Sequence, residues 1–278
     1  MLLSLEGDEK TGKTTFAYSG PLPIVGYNFD IGENRAINGT MHDKLFKGLK
    51  IEIVPYPKNP ADRLNFTNRW QGNDITIFRL PPPIQIDNGN PTGYIDLWNW
   101  FIGHLGLAIS DDSVGSYVLD TATIARRVKS DARLEELNLG RQPNERRKQL
   151  LQIEYGPIND AIRNIYSMAA NLDKNFISVH HMTDEYKPQI VQGETVSVPT
   201  GKKVLEGLNG THRFVDVAIQ QSIDGKNEIH SKILVCGFDT GLQGLELPKG
   251  TNNWNGLVDL IEGSLSGRIQ FPRRTNMA

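Results

Sequence analysis

One stretch near the start of the chain constrains its fold more than any other. Gly7 to Thr14, with the sequence GDEKTGKT, match the pattern G-x-x-x-x-G-K-[ST] at every fixed position. A short apolar run, Leu2 to Glu6, precedes the pattern, and a short helix is predicted after it until Gly20 and Pro21 interrupt the chain. Because a strand before and a helix after are the context that this pattern requires, the sequence predicts a phosphate-binding loop here, called the phosphate loop below.

The phosphate loop predicts binding of ATP together with Mg²⁺. Successive backbone N–H groups and the start of the helix would hold the phosphates, and the Lys13 side chain would reach the β and γ oxygens. The Thr14 hydroxyl would bind the metal ion. Asp8 and Glu9 raise a question, because they bring negative charge to a loop that receives phosphate. The residues predicted to contact the nucleotide are Gly7, Asp8, Glu9, Lys10, Thr11, Gly12, Lys13, Thr14 and Thr15.

Four further groups are predicted to complete the site. A second Mg²⁺ ligand is normally an Asp that ends an apolar strand, and Asp120 in SYVLD fits, with Asp30 in YNFD as its rival. Glu33, a short turn beyond Asp30, is predicted to orient the attacking water, and the choice between these two acids stays open. His180 and His181 end the apolar run FISVHH, where one of them could sense the γ-phosphate. Strand alternation points one of the pair into the core, so at least one is expected to be structural.

Composition indicates a soluble intracellular protein, and the length suits one large α/β domain or a domain with a sizeable insertion. The 278 residues contain 38% hydrophobic and 22% charged residues with a net charge of −2, which argues against disorder and against a generally basic nucleic-acid coat protein. The single Cys236 excludes an internal disulfide framework. The sequence contains no run of about 18 apolar residues, so no membrane helix is predicted. The N-terminus lacks the basic lead of a signal peptide, so a cytoplasmic location is expected.

Apolar runs separated by helical patterns predict a parallel sheet in one domain, residues 1–262. A region at 38–95 is expected to be insertion-like, a charged helical segment to cover 126–149, and a basic tail to cover 263–278. Strands are predicted at 2–6, 24–30, 50–57, 74–81, 115–120, 175–181, 213–221 and 231–238. Helices are predicted at 13–19, 60–70, 94–109, 155–172 and 256–265, and a polar segment at 182–203.

These motifs together resemble the RecA-like P-loop ATPases, in particular the phage-encoded RecA-like proteins of the single-strand annealing and recombination type. The resemblance rests on GDEKTGKT with an acid at its third position, on FDIGENRAI, on YVLDTAT, and on YGPINDAIRNI through NFISVHH. It implies a mostly parallel central sheet flanked by helices, with antiparallel strands toward the C-terminus. It also implies an ATPase that acts on single-stranded DNA as a ring or filament, beside a single-strand binding protein, in a host cytoplasm.

The resemblance places DNA contacts in two segments, residues 126–149 and 182–203. The first holds eight basic residues against four acidic ones, an excess that can contact phosphates. A solvated charged helix is the alternative interpretation, and only Tyr155 and Tyr186 lie close by for base stacking. Lys202, Lys203 and Arg213 are candidates for reaching the nucleotide of a neighbouring subunit.

Two alternative functions stay open at this stage. One is a helicase or packaging motor of the same fold, and the other is a nucleotide-gated scaffold protein with little hydrolysis.

Overall fold

The computed structural model describes residues 1–30, 36–37, 43–57, 59, 68–83, 92–191, 194–208 and 210–275. Within these ranges nine strands form the sheet and six α-helices accompany it. The strands are β1 (Leu2–Gly7), β2 (Ile24–Asn28), β3 (Ile51–Pro55), β4 (Ile75–Arg79), β5 (Ser116–Asp120), β6 (Asn175–Val191), β7 (Glu194–Leu205), β8 (Val217–Ile223) and β9 (Ile229–Cys236). The helices are α1 (Lys13–Ala17), α2 (Asp43–Phe46), α3 (Tyr94–Ile109), α4 (Ala122–Asn138), α5 (Tyr155–Asn171) and α6 (Trp254–Ser264).

The sheet is parallel through most of its width. Its strand order is β3-β4-β2-β5-β6-β1-β8-β9, and all neighbours pair in parallel except β8 and β9. The outer half of β6 pairs antiparallel with β7. The predicted α/β class, the mostly parallel sheet and the antiparallel strands toward the C-terminus are therefore confirmed.

Two apolar cores lie on opposite faces of the sheet because side chains alternate along each strand. In β5, Tyr117 and Leu119 pack in the core beneath α3, α4 and α5, whereas Val118 packs in the core beneath α1 and α6. Burial on both faces explains why the strands appear in the sequence as continuous apolar runs. The sheet edge where β1, β2 and β5 end, and where β6 continues into its pairing with β7, is thereby fixed from both sides.

Most predicted elements lie where the sequence placed them. The helix predicted at 94–109 has those bounds, and β3 and β4, inside the region expected to be insertion-like, extend the same sheet next to β2. The helix predicted at 60–70 lies almost entirely outside the described residues, and residues 68–70 form a turn. The charged segment 126–149 is α-helical as far as Asn138 and continues as a mostly exposed loop that contains the short 3-10 helix Pro143–Glu145.

The segment predicted to be merely polar, 182–203, forms a long β-hairpin with an irregularity in its register between Asp184 and Tyr186. Hydroxyl side chains alternate with valine at the start of its second arm, in the run TVSV, a pattern that suits a paired strand. At the other end of the chain, Arg274 of the predicted basic tail is only 2% exposed and donates to the carbonyls of Tyr18 and Leu45. The segment after α6 therefore packs on the domain.

Among the described residues, no helix has both the length and the apolar character needed to cross a membrane.

Candidate nucleotide-binding site

The phosphate loop joins β1 to α1 at the carboxyl edge of the sheet. Gly7 has a φ of +152°, and a Cβ at this position would lie 2.3 Å from the carbonyl oxygen of Gln221 in β8. Gly12, at the start of α1, has a φ of +89°, which favours glycine. The two fixed glycines of the pattern therefore allow the close approach to β8 and the left-handed turn that this loop needs.

Lys13 places its ammonium group inside the loop. The residue is 6% exposed, and its Nζ donates to the carbonyl oxygen of Gly7 at 2.9 Å and to that of Asp8. Burial lowers the pKa of Lys13, and the nearby Asp120 opposes that shift. A buried cation held by loop carbonyls is suited to meet the negative charge of a phosphate chain.

Thr14 and Asp120 meet at the beginning of α1 and the end of β5. The Thr14 hydroxyl donates to Oδ2 of Asp120 across 2.7 Å, although 106 positions separate the two residues in sequence. Asp120 is 2% exposed, and burial raises the pKa of its carboxyl to about 6 despite the hydrogen bond from Thr14. A hydroxyl and a carboxylate side by side form an all-oxygen donor set that fits Mg²⁺.

The two histidines at the sheet edge have different surroundings. His180 is fully buried, and its Nε2 lies 3.1 Å from the Tyr166 hydroxyl and 3.0 Å from that of Ser178. Burial lowers the pKa of His180 to about 3, so its ring is neutral at physiological pH. This is the core histidine that strand alternation predicts.

His181 faces the opposite way, toward the acids of the site. Its Nε2 lies 3.6 Å from Oδ2 of Asp30, and its backbone N–H donates to the Thr123 hydroxyl. Asp30 in turn contributes to the raised pKa of Asp120, so the two acids are near neighbours. Of the two histidines, His181 is therefore the one placed to respond to a ligand here. Glu33 lies outside the described residues, so its predicted role stays a prediction.

An ion pair links the phosphate loop to the β6–β7 hairpin. The Lys203 Nζ lies 2.5 Å from Oδ1 of Asp8 in the same chain, and both side chains are about half exposed. The sequence suggested Lys202, Lys203 and Arg213 as groups that reach the nucleotide of a neighbouring subunit. Within this chain, Lys203 pairs with an acid of its own phosphate loop. The side chain of Glu9, beside that acid, is exposed.

A buried acid at the end of β1 was missed by the sequence reasoning. Glu6 is 1% exposed, and its Oε1 accepts hydrogen bonds from the Ser4 hydroxyl at 3.0 Å and from His212 Nε2 at 2.6 Å. The pKa of His212 is raised by its hydrogen bond to Glu6. A glutamate inside an otherwise apolar strand, next to the first glycine of the loop, was the available signal.

The charge excess of segment 126–149 is partly neutralised within the protein. Ion pairs join Arg127 to Glu206, Lys129 and Arg133 to Glu136, and Arg147 to Glu154. Three exposed cations of the loop after α4 have no acidic partner among the described residues: Arg141, Arg146 and Lys148. The surplus positive charge is therefore concentrated in this loop.

Comparisons with known proteins give structural likenesses but no sequence match. No protein-family model matches the sequence, and no curated protein sequence matches it. Among solved structures, the chain is similar to one described as the crystal structure of the RadB recombinase, with 12% identity and a TM-score of 0.43. That similarity covers 88% of this chain and 84% of the other. The proposals below rest on the residues of this chain.

Proposed function

We propose that this protein is a Mg²⁺-dependent ATPase of the RecA-like type that acts on single-stranded DNA in recombination, annealing or replication. The observation that carries the proposal is the 2.7 Å contact between Thr14 and Asp120 beside a phosphate loop whose lysine is buried. It supplies two metal-binding oxygens and a cation around one ligand position, the arrangement that phosphoryl transfer requires.

Each residue of the site has a distinct role in this proposal. The loop backbone and Lys13 bind the phosphates, and Thr14 and Asp120 hold Mg²⁺. A bound Mg²⁺ would neutralise charge on the phosphate oxygens, as it does in this class of reaction. Glu33 orients the attacking water, with Asp30 as the alternative. His181, next to Asp30, reports the presence of the γ-phosphate to the hairpin that begins directly after it.

Single-stranded DNA is assigned to the loop after α4 and to the β6–β7 hairpin. Exposed cations in the loop would contact backbone phosphates. The hairpin presents Tyr186, 57% exposed, as a surface on which a base can stack. In an oligomeric ring or filament, the exposed Glu9 would face a neighbouring subunit.

ATP turnover with and without single-stranded DNA tests the proposal most directly. We expect measurable hydrolysis by the parent that DNA stimulates, and loss of hydrolysis in Lys13→Ala. Lys226→Ala, in the exposed turn between β8 and β9, is the matched control and should behave as the parent.

The outcomes separate the alternatives. Unchanged turnover with DNA, together with failure to retain labelled single strands at low salt, would overturn the recombination role. Strand separation or translocation would indicate a motor, and ATP affinity without turnover would indicate a nucleotide-gated scaffold. Turnover retained in Lys13→Ala would overturn the assignment of the site itself.

A further inference from the structure

A cavity of about 280 Å³ lies away from the phosphate loop, between α4, α5 and the segment that joins β7 to β8. None of the residues of the phosphate loop lines it. Its walls combine two arginines, Arg126 and Arg163, with apolar side chains that include Ile162, Leu208 and Phe214. A cavity with cationic and apolar walls is suited to a small ligand that has an anionic group and an apolar part.

Arg126 is fixed in the cationic wall through one side of its guanidinium group. Its Nε donates to Oδ1 of Asn159 at 2.8 Å, and its Cζ lies 5.3 Å from the centre of the Tyr155 ring. Its terminal nitrogens have no hydrogen-bond acceptor among the described residues. Burial lowers the pKa of this guanidinium, since part of its charge is removed from water. A partly buried guanidinium whose terminal nitrogens lack an acceptor is a strong donor for an oxyanion.

Gly207 leaves the space that this arginine occupies. It has a φ of +74°, and a Cβ there would lie 2.8 Å from Nη1 of Arg126. Any larger residue would therefore push the guanidinium out of its position. The lack of a side chain at Gly207 therefore lets the guanidinium of Arg126 lie against the backbone that follows β7.

The lining also includes an aromatic ring beside a second cation. The guanidinium of Arg163 lies 5.7 Å from the centre of the Phe214 ring, and its Nη1 is already paired with Asp160 at 2.9 Å. Phe214 and the neighbouring Leu208 leave apolar surface on this side of the cavity. The cavity has more room than a free phosphate needs, so its apolar wall favours an anion that carries a flat ring.

We propose that this cavity is a second nucleotide site, in which the terminal nitrogens of Arg126 bind a nucleotide phosphate and the attached ring contacts the wall formed by Phe214. The same chemistry is offered by a free mononucleotide and by the 5′-phosphorylated end of a DNA strand. The site does not depend on hydrolysis at the phosphate loop. Its test therefore stays separate from that of the proposed function.

Calorimetric titration of the full chain in the Lys13→Ala background tests this site while weakening phosphate binding at the loop. The probes are AMP, adenosine, and a dinucleotide with or without a 5′-phosphate. We expect AMP or the phosphorylated dinucleotide to bind at least about tenfold more tightly than its unphosphorylated counterpart, because charge-assisted hydrogen bonds to the phosphate are lost without it. The tighter of the two phosphorylated probes identifies the natural source.

Three variants connect the binding to Arg126. Arg126→Gln should weaken binding by at least about tenfold, and Arg126→Lys, which keeps the charge but loses the paired donors, should weaken it less. Arg133→Gln removes the same charge two turns further along the same helix, where the side chain pairs with Glu136, and should leave binding unchanged. Thermal unfolding of each variant verifies that the fold is kept.

Two results would overturn the second site. One is the absence of binding by both phosphorylated probes at millimolar concentration. The other is equal loss of affinity in Arg126→Gln and Arg133→Gln, which would indicate a general charge effect.

Discussion

The ammonium nitrogen of Lys203 lies 2.5 Å from Oδ1 of Asp8, so an ion pair joins the base of the β6–β7 hairpin to the phosphate loop. This pair accounts for the presence of Asp8 in a loop that we propose binds phosphate, because a cation from a distant strand neutralises the acid. The pair also places Lys203 beside the phosphates that we expect the loop to bind. An arriving phosphate chain would compete with Asp8 for the same ammonium group.

This competition predicts opposite effects for the two partners. Lys203→Ala should raise the ATP concentration at half-maximal turnover several-fold, since a nearby cation is lost, and Asp8→Asn should lower it, since the competing acid is lost. Because both side chains are about half exposed, each change should alter the free energy of unfolding by less than about 1 kcal/mol. Turnover is measured without DNA, and Lys187→Ala in the other arm of the hairpin is the control. Shifts of the same sign in both variants would disprove competition.

The proposed metal role of Thr14 predicts a sharp difference between two substitutions. Thr14→Val keeps the branched shape but removes the hydroxyl, which takes away one proposed Mg²⁺ ligand and the hydrogen bond to Asp120. Turnover should fall at least about a hundredfold, whereas Thr14→Ser, which keeps the oxygen, should retain most of it. Turnover titrated with Mg²⁺ is the measurement. An unchanged Mg²⁺ dependence in Thr14→Val would remove Thr14 from the metal site.

The fold, and the residues that meet at the phosphate loop, follow from local sequence patterns. The apolar runs gave the strands, because a parallel sheet buried on both faces needs continuous apolar strands. The spacing from Gly7 to Thr14 predicted the loop. The apolar run SYVLD predicted a strand that ends in an acid, Asp120. These features are local or follow from the rule that parallel strands end at one edge, so a single sequence contains enough information to find them.

The contacts that sequence reasoning missed depend on long-range register. Asp8 and Lys203 are 195 positions apart, and Glu6 and His212 are 206 apart. Both contacts form only when the β6–β7 hairpin and the segment before β8 lie next to the phosphate loop. The residues of a polar segment do not indicate which strand it will pair with. Strand alternation predicted that one of His180 and His181 faces the core, but it did not identify which one. The burial of His180 in the structure identifies it as the core residue.

The His212–Glu6 contact predicts a loss of stability as pH rises. The folded-state pKa of His212 is raised above its ordinary value of 6.5 by its hydrogen bond to Glu6, so folding favours the protonated ring. That contribution is fully present below about pH 6.5 and is lost as pH rises through the folded-state value. His180, which also lies nearby, has a pKa lowered to about 3 and does not titrate in this window.

Urea unfolding of the parent and of His212→Gln between pH 5.5 and 8.5 measures this effect. The difference in unfolding free energy between the two proteins should be largest at pH 5.5 and should shrink as pH rises. The other histidines, including His230 with its acidic partners, are common to both proteins and cancel in the difference. A difference that is constant with pH would show that His212 stays in one charge state.

The surplus positive charge in the loop after α4 predicts how DNA affinity depends on salt. Arg141, Arg146 and Lys148 are exposed and have no acidic partner among the described residues, so they are free to contact strand phosphates. Each phosphate contact to a single strand contributes about 0.7 to the slope of log affinity against log salt. Replacing all three residues by Ala should therefore reduce the slope by about 2 and weaken binding at low salt. Fluorescence anisotropy with a labelled oligonucleotide measures both quantities.

The control for this prediction removes the same charge from another surface. Lys226, Lys232 and Lys249 lie on or near the β8–β9 strands, and their triple Ala variant has the same net charge as the loop variant. If DNA contacts the loop after α4, only the loop variant changes the slope, because counterion release counts the phosphates contacted and depends little on the overall charge. An equal reduction of the slope in both variants would mean that net charge attracts the DNA. The β6–β7 hairpin would then be the remaining candidate surface for contacts with the single-stranded DNA.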